Sequence, residues 1–174
     1  MKKLRKNNRG FTLTELIVSA AILGIVALAA SAFMIAGTRA YSSVNYSVRL
    51  QYAAQIAMAQ LQEYTVDCTD GIAWDGSMLY IVNGNDVHLF KFDSQADTLS
   101  YAKVRKADNL NENTIASDLA AEHITDMDVN LSKGPAEIKL QMQRNTKTYS
   151  ATQIIAMRNR PVVEDSWAEL RGKI

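Results

Sequence analysis

The residues with the clearest chemical potential stand near the start of the chain, in the stretch Arg9-Gly10-Phe11-Thr12-Leu13-Thr14-Glu15. Glu15 is the last charge before Arg39, and about 23 uncharged residues, rich in Ala, Ile and Leu, lie between them. A lone carboxylate one turn into such a segment is costly and is ordinarily kept for function. It becomes far cheaper when a cation pairs with it. Elsewhere the reactive residue types are scattered. His88 and His123 are the only histidines, and no His-x-x-x-His or Cys/His cluster makes a zinc site. Asp67, Asp70 and Asp75 fit no calcium-loop spacing and lack its closing Glu, so solvated turns are expected there. There is no Gly-x-Ser-x-Gly elbow and no Gly-rich phosphate loop. The sequence therefore offers no catalytic residue, no metal ligand set and no cofactor site, and an enzyme is not expected.

The element that must position Glu15 is the apolar run itself. Roughly 20 helical residues cross the hydrocarbon core of a bilayer, and this run is long enough. Lys2, Lys3, Arg5, Lys6 and Arg9 all precede it. Such a cluster favours a cytoplasmic N-terminus, so the helix crosses outward and residues 39–174 lie outside. A chain of 174 residues supports one soluble domain beside this helix.

A short basic leader ending in Gly10, then Phe11, Thr12, Leu13, and Glu15 fifth after the Gly10–Phe11 bond, resembles the type IV prepilin signal. The resemblance implies a pilin-like fold, α+β, with one long N-terminal helix packed on an antiparallel sheet. It implies cleavage between Gly10 and Phe11 by a prepilin peptidase, N-methylation of Phe11, and assembly with other pilin or pseudopilin subunits through an inner-membrane assembly platform. Localisation then follows as cell membrane before assembly and a surface or periplasmic filament afterwards. The new Phe11 amine of one subunit and the Glu15 carboxylate of a neighbour are natural partners, and their pairing would set the axial register. Many major pilins kink this helix with a Pro in its second half. None occurs here.

Two other readings of the N-terminus stand beside this one. A Sec signal peptide has an apolar core of roughly 7–15 residues and a small-residue cleavage site. Ala30-Ser31-Ala32 mimics the site, but the core is too long and contains Glu15. A single-span anchor carrying an extracytoplasmic binding module is the other alternative. Small residues such as Ser19, Ala20, Gly24, Ala27 and Ser31 keep the helix slim, as closely packed membrane helices require.

Loss of residues 1–10 would remove five positive charges and leave 14 Lys and Arg against 18 Asp and Glu, a net −4. That balance argues against an intrinsic nucleic-acid surface, which would be basic. Cys68 is the only cysteine, so no intramolecular disulfide forms, and a buried inert thiol is expected.

In chain order, residues 1–10 read as leader, 11–38 as the membrane and filament-core helix, and 39–65 as its amphipathic continuation. Tyr46, Leu50, Ala53, Ala57, Leu61 and Tyr64 share one face of that continuation, and Ser47, Gln51, Gln55 and Gln62 another. Tyr41, Tyr46, Tyr52 and Tyr64 are expected to be packing aromatics. Residues 67–71 and 74–76 read as turns, and 66–161 as the sheet domain. Strands are expected at 78–82, 87–92, 99–105, around 127–131, around 138–142, and at 149–158, with Asn83-Gly84 as a hairpin signal. A polar loop covers 106–113, Ser117 caps a short helix through His123, and 132–135 turn the chain. Residues 162–174 read as a polar tail with a helical turn near 165–170. From residue 119 to 159, ending in Ile154-Ile155-Ala156-Met157-Arg158-Asn159, the chain is similar to minor pilins, J-type pseudopilins and a competence-pilus subunit. That similarity implies a minor subunit of a pilus, type II secretion or competence filament.

Overall fold

The computed structural model describes residues 11–106, 118–132 and 134–174. The leader with Gly10, most of the 106–113 loop, Ser117 and Lys133 lie outside the described residues. The chain divides into two compact parts, up to Val44 and from Asn45 onward. One helix, α1 (Leu13–Val66, 54 residues), runs through both. No proline interrupts it, and Ala, Leu, Ile and Gln supply ample helix propensity.

In the first part the helix carries its apolar side chains bare. Leu16, Ile22, Leu28, Phe33 and Ile35 are all exposed, and none of the most apolar 18-residue window is buried by the rest of the chain. The few polar side chains in the run are turned onto the helix backbone. The Ser31 hydroxyl donates to the Ala27 carbonyl at 2.8 Å, and the Thr38 hydroxyl donates to the Ile35 carbonyl at 3.0 Å. Such back-bonding satisfies hydroxyls where no water is present.

The second part is a helix wrapped by two sheets. A six-stranded sheet has the order β5-β4-β3-β2-β1-β9, built from β1 (Gly71–Trp74), β2 (Met78–Asn83), β3 (Asp86–Asp93), β4 (Thr98–Arg105), β5 (Asp118–Glu122) and β9 (Val162–Glu164). A three-stranded sheet has the order β6-β7-β8, from β6 (Ile124–Asn130), β7 (Ala136–Arg144) and β8 (Lys147–Ile155). All pairs are antiparallel except β1 with β9. The hairpin at Asn83-Gly84 is present, with Gly84 (φ 62°) in the two-residue loop where a primed turn needs positive φ. The architecture is the α+β arrangement of one long helix packed on largely antiparallel sheet.

The main core joins α1 to both sheets. Leu50, Ala54, Ala57, Met58 and Leu61 of the helix meet Ile72, Leu79, Ile81, Phe90 and Leu99 of the first sheet and Ile138, Leu140 and Met142 of the second. β7 alternates buried Ala136, Ile138, Leu140 and Met142 with outward Glu137, Lys139 and Gln141, the period-2 pattern of a half-buried strand. A second core covers the opposite face of the six-stranded sheet. There Tyr80, Val82, Val87 and Leu89 pack with Trp167 and Leu170 of α2 (Trp167–Arg171). β2 is consequently buried on both faces.

Several expectations are corrected here. Residues 118–122 form strand β5 and not a helix. Their Leu-Ala-Ala-Glu composition favours helix, but pairing with β4 overrides a weak local preference. His123, at φ 66°, then carries the chain from one sheet directly into the other. Residues 71–74 form β1 between and into the turns expected at 67–71 and 74–76, and 162–164, expected as polar tail, form β9. The helical turn expected near 165–170 is present as α2, but with Trp167 and Leu170 buried and not as part of a polar tail. Gly71 packs closely at this seam, and a Cβ there would press on the Leu170 side chain and lie 3.2 Å from the Val162 carbonyl oxygen. Tyr41 and Tyr52 are exposed, not packed. Tyr46 lies under the Arg144 guanidinium at 5.4 Å, and Tyr64 stacks on His88 at 4.1 Å.

Candidate functional site

Thr12 and Glu15 together close the N-terminus of α1. The Thr12 backbone N–H donates to Glu15 Oε2 at 2.9 Å, and the Thr12 hydroxyl lies 3.0 Å from the same oxygen. In return the Glu15 backbone N–H donates to Thr12 Oγ1 at 3.3 Å. This is a reciprocal capping box, with Thr at the N-cap and Glu at the third helical position. The Thr-x-x-Glu spacing announces it in the sequence, although sequence reasoning assigned Glu15 only an intersubunit partner. The carboxylate also faces the positive end of the helix dipole.

Phe11 precedes the cap and is 83% exposed. Glu15 is likewise exposed. Phe11 and Glu15 are therefore both accessible and lie within one turn of each other. Gly10, on the other side of the bond of interest, falls outside the described residues.

The other sequence candidates have local, structural partners. Asp75 Oδ1 accepts from the backbone N–H groups of Ser77 (2.9 Å) and Met78 (2.7 Å), and Oδ2 accepts from the Tyr80 hydroxyl at 3.1 Å. Asp67 pairs with Arg158 at 2.9 Å. Among the described residues no three His, Cys, Asp or Glu side chains gather as a metal site. His88 is buried and stacked on Tyr64, with Nδ1 2.8 Å from the Tyr101 hydroxyl. Desolvation, reinforced by the charge of Lys103, lowers its pKa below the ordinary 6.5. It is thus held neutral as a core aromatic.

Cys68 sits at the end of α1, fully buried, with its thiol donating to the Gly71 carbonyl at 3.2 Å. Burial pushes its pKa up to about 11. An ordinary thiol titrates near 8.5, and only the thiolate reacts. Alkylation by iodoacetamide at pH 8 is therefore expected to be at least about a hundredfold slower in the folded protein than in urea. Equal rates, followed by mass spectrometry, would show an accessible thiol and a misplaced helix end.

Residues 5–31 match the family described as a prokaryotic N-terminal methylation motif. No curated protein and no solved structure matches the chain. The motif covers Gly10, Phe11, Glu15 and most of the apolar run. It supports the type IV pilin and pseudopilin family, whose members are generally structural, and it implies processing by a prepilin peptidase and assembly with other pilins. The bare apolar helix that it opens is consistent with membrane anchoring.

Proposed function

We propose that this chain is a minor subunit of a type IV pilus or pilus-like filament. In this reading residues 1–10 are a leader removed at the Gly10–Phe11 bond. The subunit waits in the membrane with residues 11–38 in the bilayer and the sheet domain outside. The assembly platform then lifts it into the filament, where the N-methylated Phe11 amine of one subunit meets Glu15 of the next. The observation that carries the reading is the apolar half of α1. Its side chains are uncovered by the chain that owns them, and it begins on an accessible carboxylate within the methylation motif. Contacts of this kind are heterologous and do not close, so they generate a helical polymer.

The capping box makes the test sharper. Glu15→Gln retains a side-chain acceptor for the Thr12 N–H and keeps the cap, while it removes the charge. Glu15→Leu removes both. If the charge pair drives assembly, both proteins insert in the membrane and both fall at least tenfold in sheared filaments, measured by quantitative mass spectrometry. Wild-type incorporation of the Gln protein would reduce Glu15 to a helix cap. The same measurement reads copy number. A minor subunit is scarce, and finding this chain as the most abundant pilin would make it a major one.

A further inference from the structure

The described residues contain four sheet edges, at β5, β9, β6 and β8. Exposed edges are open templates for pairing, and proteins usually guard them with bulges, charges or brevity. β9 has only three residues. The β4–β5 register shifts between Leu99 and Ser100, and β5 carries exposed Asp118 and Glu122. The β6–β7 register shifts between Ile124 and Asp126, and β6 carries exposed Asp126 and Asp128. β8 has none of these guards. Its nine residues pair with β7 in unbroken register from Ala136↔Ile155 to Arg144↔Lys147. It contains no Pro, no Gly and one charge, Lys147. Among the described residues, no backbone group of β8 bonds to any element but β7.

Beside this edge lies a cavity of about 370 Å³, with Tyr149, Ala151 and Gln153 on one side and Ala54, Gln55 and Met58 of α1 on the other. Gln62 closes one end by accepting from the Gln153 amide. A row of unpaired backbone groups beside amide side chains suits an extended main chain better than any small molecule. Charge narrows the occupant further. Residues 144–163 contain Arg144, Lys147, Arg158 and Arg160 and no Asp or Glu. Arg158 is paired with Asp67 and Arg144 lies over Tyr46, but Lys147, in β8 itself, and Arg160 have no ion-pair partner among the described residues.

We propose that β8 is a docking edge that takes an extended acidic segment of another polypeptide as an added strand. The inference is independent of the filament reading, since it rests on the sheet edge and not on the N-terminal helix. The test uses the full chain in detergent micelles and two octapeptides, one alternating Glu and Val and one alternating Lys and Val. Amide hydrogen exchange is followed residue by residue. The acidic peptide is expected to slow alternate amides of 148–154 at least tenfold, and the basic peptide to leave them unchanged. No slowing, equal slowing by both peptides, or slowing confined to other elements would overturn the proposal. So would protection of the same amides that rises with protein concentration alone, which would make a second copy the occupant.

A pair of variants checks the geometry. Neighbouring residues of a strand send their N–H groups to opposite edges. Of Ala151→Pro and Thr152→Pro, one therefore removes a ladder donor and the other an outward donor, which an edge strand tolerates. The variant that keeps the wild-type melting temperature is expected to lose the peptide effect, and its persistence there would sink the assignment. If both variants unfold, the peptide comparison on the wild-type chain decides alone.

Discussion

The Gly10→Val protein is expected to remain about ten residues longer than the wild type in membrane fractions. Glycine before the bond leaves the peptidase nothing to accommodate but backbone. A β-branched residue adds bulk on Cβ and restricts the local dihedrals. The effect is close to all or none, because an uncut chain keeps its five leader cations and never exposes the Phe11 amine. In the proposed assembly that amine is what reaches a neighbour's Glu15, so incorporation into filaments is expected to fall with processing. Gel mobility and N-terminal mass analysis check both halves. Trimming of the variant at the wild-type rate would show that the cut lies elsewhere. A mature chain starting after Ala32 would point to Sec processing instead.

The second large effect is expected at Trp167→Ala. Trp167 is buried and stacks on Tyr80 at 5.4 Å, and with Leu170 it covers the face of Val82, Val87 and Leu89. Truncating a buried aromatic to Ala typically costs about 3–5 kcal/mol. Domains of this size have only about 5–15 kcal/mol in total. The loss should lower the melting temperature by roughly 10 °C or more. Trp167 Nε1 has no hydrogen-bond partner among the described residues, so the change reports mainly packing. A melting temperature within about 2 °C of the wild type would mean that α2 contributes little to the sheet it covers.

The parts legible in the sequence were those specified locally. The long helix followed from uninterrupted helical periodicity, the Asn83-Gly84 hairpin from its turn chemistry, and β7 from the alternation of Ile138, Leu140 and Met142 with polar neighbours. The parts missed depend on distant partners. β1 and β9 are short and pair with each other across about ninety residues. No window of the sequence contains that information. β5 has a helix former's composition and is a strand only because β4 is there to pair with it. The division into two sheets turns on a single residue, His123, whose positive φ no simple rule predicts. At the candidate site the reverse holds. Thr12 and Glu15 carry the capping-box spacing within four residues of sequence.

The parallel pairing of β1 with β9 also has a consequence in time. Residue 71 cannot find its sheet neighbour until residue 162 has been synthesised, and the Tyr80–Leu89 face stays bare until Trp167 arrives. Closing so long a loop is slow compared with forming the hairpins between its ends. During that interval the nascent domain presents a half-finished sheet to whatever chaperones and proteases share the compartment. Substitutions that weaken the last ten residues should therefore reduce how much folded protein accumulates by more than equilibrium stability alone would suggest.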